Sequence, residues 1–109
     1  MKEIKAIIQP FMLDKVLEAL HEIAGLPGCT VSQVRGYSRS KPRKPGEEDL
    51  GFAERVKLEI VVPEKLVKSV VEIVRTSAHT GNKGDGKIFV IECADAVHIR
   101  TGKRGETRL

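Results

Sequence analysis

The strongest constraint in this sequence is a pattern that occurs twice. Ile4, Ala6 and Ile8 alternate with Lys5 and Ile7 ahead of Pro10, after which Leu13, Val16, Leu17, Leu20 and Ile23 recur at helical spacing. Further along, Val56, Leu58, Ile60 and Val62 alternate with Arg55, Lys57 and Glu59, Pro63 closes the run, and Leu66, Val67, Val70, Val71, Ile73 and Val74 form a second helical stripe. Laying Pro10 on Pro63 superimposes Leu13 on Leu66, Leu17 on Val70 and Leu20 on Ile73 at one constant offset, the spacing of an internal duplication. A strand with one apolar face followed by a helix with one apolar stripe is half of a two-layer core, so two such units predict two helices on one face of a shared sheet.

Each unit is followed by a further strand. Gly25 is placed to end the first helix, and Pro27-Gly28 turns the chain into Cys29 to Arg35, which carries Val31 and Val34. The second helix leads through a Gly-rich stretch, Thr80 to Gly86, into Lys87-Ile88-Phe89-Val90-Ile91, and a short Val97 to Arg100 strand precedes a charged tail. The order is βαββαβ with an extra C-terminal strand, which predicts an α+β, ferredoxin-like fold. At 109 residues, residues 1–109 are expected to form one domain around one modest core. No apolar run approaches the ~18 residues that span a bilayer, and no apolar leader is visible, so the expected location is cytoplasmic.

The connection from Gly36 to Glu54 is too long for a hairpin turn and too polar to pack a core, which reads as an interaction loop or, alternatively, as a solvated, inert linker. It is basic first, with Arg39, Lys41, Arg43 and Lys44, and acidic second, with Glu47, Glu48 and Asp49. The basic cluster, with Arg35, raises a small nucleic-acid-binding module as a rival reading, since phosphate backbones reward clustered cations. Against it stand the adjacent carboxylates, a net charge of only +4, and 4% aromatic residues with no Trp to stack bases; no nucleic acid is expected as partner. Cys29 and Cys93 lack CxxC spacing and read as small buried hydrophobes.

Chemistry concentrates in Gly81-Asn82-Lys83-Gly84-Asp85-Gly86-Lys87. It fits the start of a P-loop, G-x-x-x-x-G-K, yet Ile88 stands where Ser or Thr must hold magnesium, and a strand follows where a helix N-terminus is required. A P-loop NTPase is therefore excluded. What survives is an anion cradle, with glycines for close backbone approach and Lys87 for charge, or else a Gly-rich turn into an ordinary strand. No nucleophile, base and orienter share a workable spacing, so no catalytic residue is assigned and an enzyme is not expected. His21, His79 and His98 form no ligand pair, although a trimer axis can gather copies of one histidine, which keeps a metal-responsive regulator with little nucleotide dependence as an alternative.

Four ordered blocks, Ile7-Ile8-Gln9-Pro10-Phe11, Lys57-Leu58-Glu59-Ile60-Val61-Val62-Pro63, Thr80 through Phe89, and Ile99-Arg100-Thr101-Gly102, are those of the PII signal-transduction (nitrogen regulatory protein P-II) family, which the chain resembles over essentially its whole length. The resemblance implies a homotrimer that binds ATP or ADP, with AMP as a further candidate, in clefts between subunits. It also implies that the long loop regulates a target protein such as a membrane transporter or an enzyme. The family's nucleotide-binding motifs fall on Gly84, Asp85, Gly86 and Lys87, on Arg100, and on Arg39 at the loop base, while Thr30 and Glu59 match adenine-side positions. Cationic side chains and glycine amides suit phosphate.

The departures are informative. The long loop is about four residues shorter than is usual in the family and lacks its internal modified tyrosine, a role that Tyr37 at the loop base does not fill. Ser40 replaces a Gln, and Gln9 and Arg55 replace Lys, at positions associated with 2-oxoglutarate, which argues against standard 2-oxoglutarate binding. His98 replaces a phosphate-contacting Arg, and a neutral imidazole supplies less charge. Gln9, the Gln9 to Leu13 run, the Ala78 to Asn82 run and the Arg104-Gly105-Glu106 tail resemble the divergent subgroup encoded beside heavy-metal efflux pumps.

Overall fold

The computed structural model describes residues 1–37, 52–105 and 109. Strand β1 (Lys2–Ile8) runs through a 3₁₀ turn at Pro10–Met12 into helix α1 (Leu13–His21), and β2 (Thr30–Tyr37) follows. Strand β3 (Phe52–Val62), a second 3₁₀ turn at Glu64–Leu66 and helix α2 (Val67–Ala78) repeat the sequence of elements, and β4 (Gly86–Glu92) completes the sheet. The sheet is antiparallel in the order β2-β3-β1-β4. Lys2 pairs with Val62 and Ile8 with Val56 on one side of β1, and Lys2 with Glu92 and Ile8 with Gly86 on the other. This is the ferredoxin-like arrangement expected.

Alternation decides the two faces. Ile4, Ala6, Ile8, Val56, Leu58, Ile60 and Val62 all point one way and are buried against Val16 and Leu20 of α1 and Val70 and Val74 of α2. The opposite face carries no helix. It presents Glu3, Lys5, Ile7, Arg55, Lys57, Glu59, Val61, Lys87, Phe89 and Ile91, which we call the open face.

The duplication is real but displaced by one residue from the proline alignment. Gln9 (φ −66°, ψ 136°) has the geometry of Pro63 (φ −64°, ψ 154°), and Met12 (φ −94°, ψ −5°) that of Leu66 (φ −98°, ψ −9°). In this register the buried residues match in pairs: Ile4 with Leu58, Ile8 with Val62, Val16 with Val70, and Leu20 with Val74. Packing sets the repeat, and a proline is tolerated both just before the 3₁₀ turn and at its first position.

Three further boundaries differ from expectation. The Gly36 to Glu54 connection is shorter at both ends, because Gly36 pairs with Ala53 and Tyr37 with Phe52, extending the β2–β3 ladder. The Val97 to Arg100 strand reduces to a single bridge, Val97 to Arg104, around a turn in which Gly102 donates to the His98 carbonyl at 2.7 Å and His98 to that of Lys103 at 2.8 Å. Cys29 and Cys93 are free and only half-buried, each lying one residue beyond a strand end, with Cys29 packed on the edge of the core.

Candidate functional site

The Gly-rich loop is organised by its own aspartate. α2 ends at Ala78, His79 returns to extended geometry, and Asp85 then accepts hydrogen bonds from the Thr80 backbone N–H at 2.8 Å, the Gly81 N–H at 2.9 Å and the Thr80 hydroxyl. The Thr80 hydroxyl, then the Thr80 and Gly81 amides and the nearby His79, hold the Asp85 carboxyl below its ordinary range. Asp85, expected as a nucleotide-binding residue, therefore spends its carboxylate inside the loop. Its backbone N–H is the group it can offer a ligand.

Gly84 and Gly86 both have positive φ, and at Gly86 contact with backbone also requires glycine. Gly86 (φ +107°) passes so close to β1 that a Cβ would overlap the Ile7 carbonyl. At Gly84 (φ +94°) a Cβ would lie 3.0 Å from Arg55 Nη2 and 3.1 Å from Gln9 Nε2. Those two side chains reach the loop from the adjacent ends of β1 and β3: Gln9 Nε2 donates to the Gly84 carbonyl at 2.8 Å, while Arg55 Nη1 donates to the Glu54 carbonyl at 2.7 Å.

Lys87, the first side chain past the loop, lies on the open face across Ile7 from Lys57. Lys57 has Glu59 at 3.5 Å, whereas neither Lys87 nor Arg55 has a carboxylate within ion-pair distance among the described residues. One rim of the open face thus carries two uncompensated cations beside glycine amides. Thr30 and Glu59 are direct register partners and share a groove of about 470 Å³ with Glu3, Pro27, Gly28, Cys29, Val61 and Leu109. Burial in that groove raises the Cys29 thiol pKa. The Thr30–Glu59 pair and Lys87 lie on opposite sides of β1, with Glu59 about 10 Å and Thr30 about 14 Å of sheet width from β4, so one chain places them on a common face without joining them.

Arg100 stands exposed in the C-terminal turn, apart from the loop, and Arg39 lies outside the described residues. Gln9 and Arg55, which sequence reasoning treated only as departures, are the side chains that meet the loop. The available signal was position: both sit at the ends of neighbouring strands, where side chains overhang the sheet rim. Among the described residues no three His, Cys, Asp or Glu side chains gather as metal ligands, and no helix is long and apolar enough to cross a membrane.

A ferredoxin-like sheet with one helix-free face and a cationic glycine loop at its rim defines a small two-layer α+β protein. The profile of the family described as Nitrogen regulatory protein P-II matches residues 1–103. The chain is 47% identical over 109 residues to the nitrogen regulatory protein P-II of Rhodospirillum rubrum, covering 96% of each, and 43% identical to nitrogen regulatory protein P-II 1 of Escherichia coli K12, covering 100% of each. The latter alignment spans 113 positions, as gaps in a shorter chain require. In three dimensions it is similar to the crystal structure of Arabidopsis thaliana PII bound to citrate, with a TM-score of 0.82 and 40% identity over 99% of this chain and 91% of that one. The chain belongs to the nitrogen regulatory protein P-II family, whose members are signalling proteins.

Proposed function

We propose that this protein is a non-enzymatic, homotrimeric, cytoplasmic sensor of adenine nucleotides that regulates a target protein through the segment between β2 and β3. The observation that carries the reading is the rim of the open face, where Lys87 follows a loop closed by Asp85 and has no carboxylate partner among the described residues. Phosphate is the anion such a rim suits, through charge-assisted hydrogen bonds and backbone amides. The Thr30–Glu59 groove supplies a separate, half-apolar surface for a base. Because these two parts are split across β1 in one chain, a cleft between subunits, with the groove of one facing the rim of its neighbour, is the arrangement that unites them. In that cleft Arg100 and Arg39 join Lys87 at the phosphates. Binding then selects the conformation of the loop that the β2–β3 ladder launches, and the target reads that conformation.

Calorimetric titration with ATP, ADP and AMP, each with and without 2-oxoglutarate, tests this. Heat with at least one nucleotide, and little change on adding 2-oxoglutarate, is expected. No heat with any adenine nucleotide at millimolar concentration overturns it.

A further inference from the structure

We infer that Gln9 is a positioning residue for the anion-binding loop: by holding the Gly84 carbonyl it aims the Asp85 backbone N–H away from the sheet, toward where a phosphate would sit. The inference rests on the nucleotide reading above and assigns a role that the loop's own residues do not reveal. A Gly84 carbonyl offers only an acceptor, so the side-chain nitrogen of Gln9, not its oxygen, must face it, in keeping with the 2.8 Å contact. In a trans peptide the carbonyl of one residue and the N–H of the next point in opposite directions. Fixing the Gly84 oxygen toward β1 therefore fixes the Asp85 hydrogen on the far side.

The holder is itself rigid. Gln9 follows the last buried residue of β1, Ile8, and precedes Pro10; its own carbonyl accepts from the Met12 N–H at 3.0 Å. The amide is thus delivered from a backbone fixed on both sides, which lowers the entropy cost of the contact. Gly84 has a positive φ, and a Cβ there would press on the ends of Arg55 and Gln9 at 3.0 and 3.1 Å, so glycine lets both side chains approach the peptide without adjustment. Asp85 secures the other end of the loop through Thr80 and Gly81. Without Gln9 the Gly84–Asp85 peptide is held at one end alone and is free to rotate its oxygen toward an incoming anion.

The test uses the full chain with Gln9→Met, which keeps length and removes the donor, and Gln9→Lys, which keeps a donor within reach. Amide chemical shifts and hydrogen exchange of Gly84, Asp85 and Gly86 are followed without ligand, and ATP and ADP affinities by calorimetry. In Gln9→Met we expect faster exchange and shifted resonances confined to residues 80–87, an unchanged thermal midpoint, and nucleotide binding about five- to tenfold weaker, the usual consequence of losing one hydrogen bond. Gln9→Lys is expected to restore the wild-type shifts and exchange. Wild-type exchange and affinity in Gln9→Met overturn the inference, and so does a perturbation spread across the whole sheet, which would make Gln9 merely structural. Should the wild-type protein bind no nucleotide, the proposed function fails, while the ligand-free spectra still decide whether Gln9 orients the loop.

Discussion

At the residue level the nucleotide reading separates groups that hold the loop from groups proposed to face phosphate, and their substitutions should part accordingly. Lys87→Ala and Arg100→Ala remove charge-assisted hydrogen bonds and are expected to weaken nucleotide binding by about ten- to a hundredfold, with folding unaffected because both side chains are exposed. Arg39→Ala is expected to cost less, under about 1 kcal/mol for ADP and more for ATP, since immobilising a long arginine side chain offsets part of its gain. Equal binding by wild type and Lys87→Ala, measured by calorimetry, would leave the glycine segment as a mere turn. Gly86→Ala should instead destabilise the fold, by about 2 kcal/mol or more in denaturant unfolding, because its Cβ meets the Ile7 carbonyl at positive φ. Asp85 adds a pH dependence whose sign is set by the Thr80 contacts. Its folded pKa is depressed, so its contribution is full above the ordinary aspartate pKa near ~4 and is lost as pH falls through the lower folded value. Amide resonances of Thr80 and Gly81 followed downward from pH 5 should move only below about pH 4; movement already complete above that would show that Asp85 does not anchor the loop.

At the level of elements, the base of the long loop is a built feature. Tyr37 and Phe52 face each other across the last rung of the β2–β3 ladder with ring centroids 5.6 Å apart, and the Arg35 guanidinium lies 5.3 Å from the Phe52 ring centre. Such ring and cation contacts are each worth about 0.5 to 1.5 kcal/mol. Phe52→Ala is therefore expected to speed hydrogen exchange from Arg35 to Tyr37 and from Ala53 to Glu54, leaving the amides of Leu58 and Ile60 protected; unchanged exchange at the base would show that the rungs hold without the rings. This extension was hidden in the sequence because Gly36, Tyr37, Phe52 and Ala53 carry no alternating apolar pattern: their ladder runs beyond the helices, where no face is buried. Where a face is buried the sequence was legible, as in Ile4 to Ile8 and Val56 to Val62. The same criterion explains the displaced repeat, since Pro10 and Pro63 are local signals, whereas the pairing of Val16 with Val70 reflects packing against the sheet. The Thr80 to Gly86 stretch was likewise legible as a loop from its glycines. Its anchoring by Gln9 was not, because that contact is fixed by the meeting of strand ends distant in sequence.

At the level of the whole molecule, the open face is what a single chain leaves unfinished. Ile7 and Val61 are half-buried there, and Phe89 and Ile91 remain 47% and 38% exposed on the edge strand β4. Apolar side chains set among Lys5, Lys57, Lys87 and the carboxylates of Glu3 and Glu59 make a mixed apolar and charged face, and a threefold ring lets each copy cover its neighbour while closing on itself. Light scattering at micromolar protein should then give three times the 12.0 kDa subunit mass. Phe89→Glu is the sharper test. Phe89 lies opposite Lys5 on the open face, so a glutamate there can pair locally and the monomer should fold as before. In the assembly the same carboxylate must be desolvated at a site that otherwise buries a phenyl ring worth about 1.5 to 3 kcal/mol, and every interface in the ring bears that loss. The variant should run as a folded monomer with wild-type circular dichroism, and adenine-nucleotide binding should fall with it, because the Thr30–Glu59 groove and the Lys87 rim then no longer face each other across subunits. A monomeric Phe89→Glu protein that still binds ATP at wild-type affinity would place the whole nucleotide site within one chain and remove the reason for a cleft between subunits.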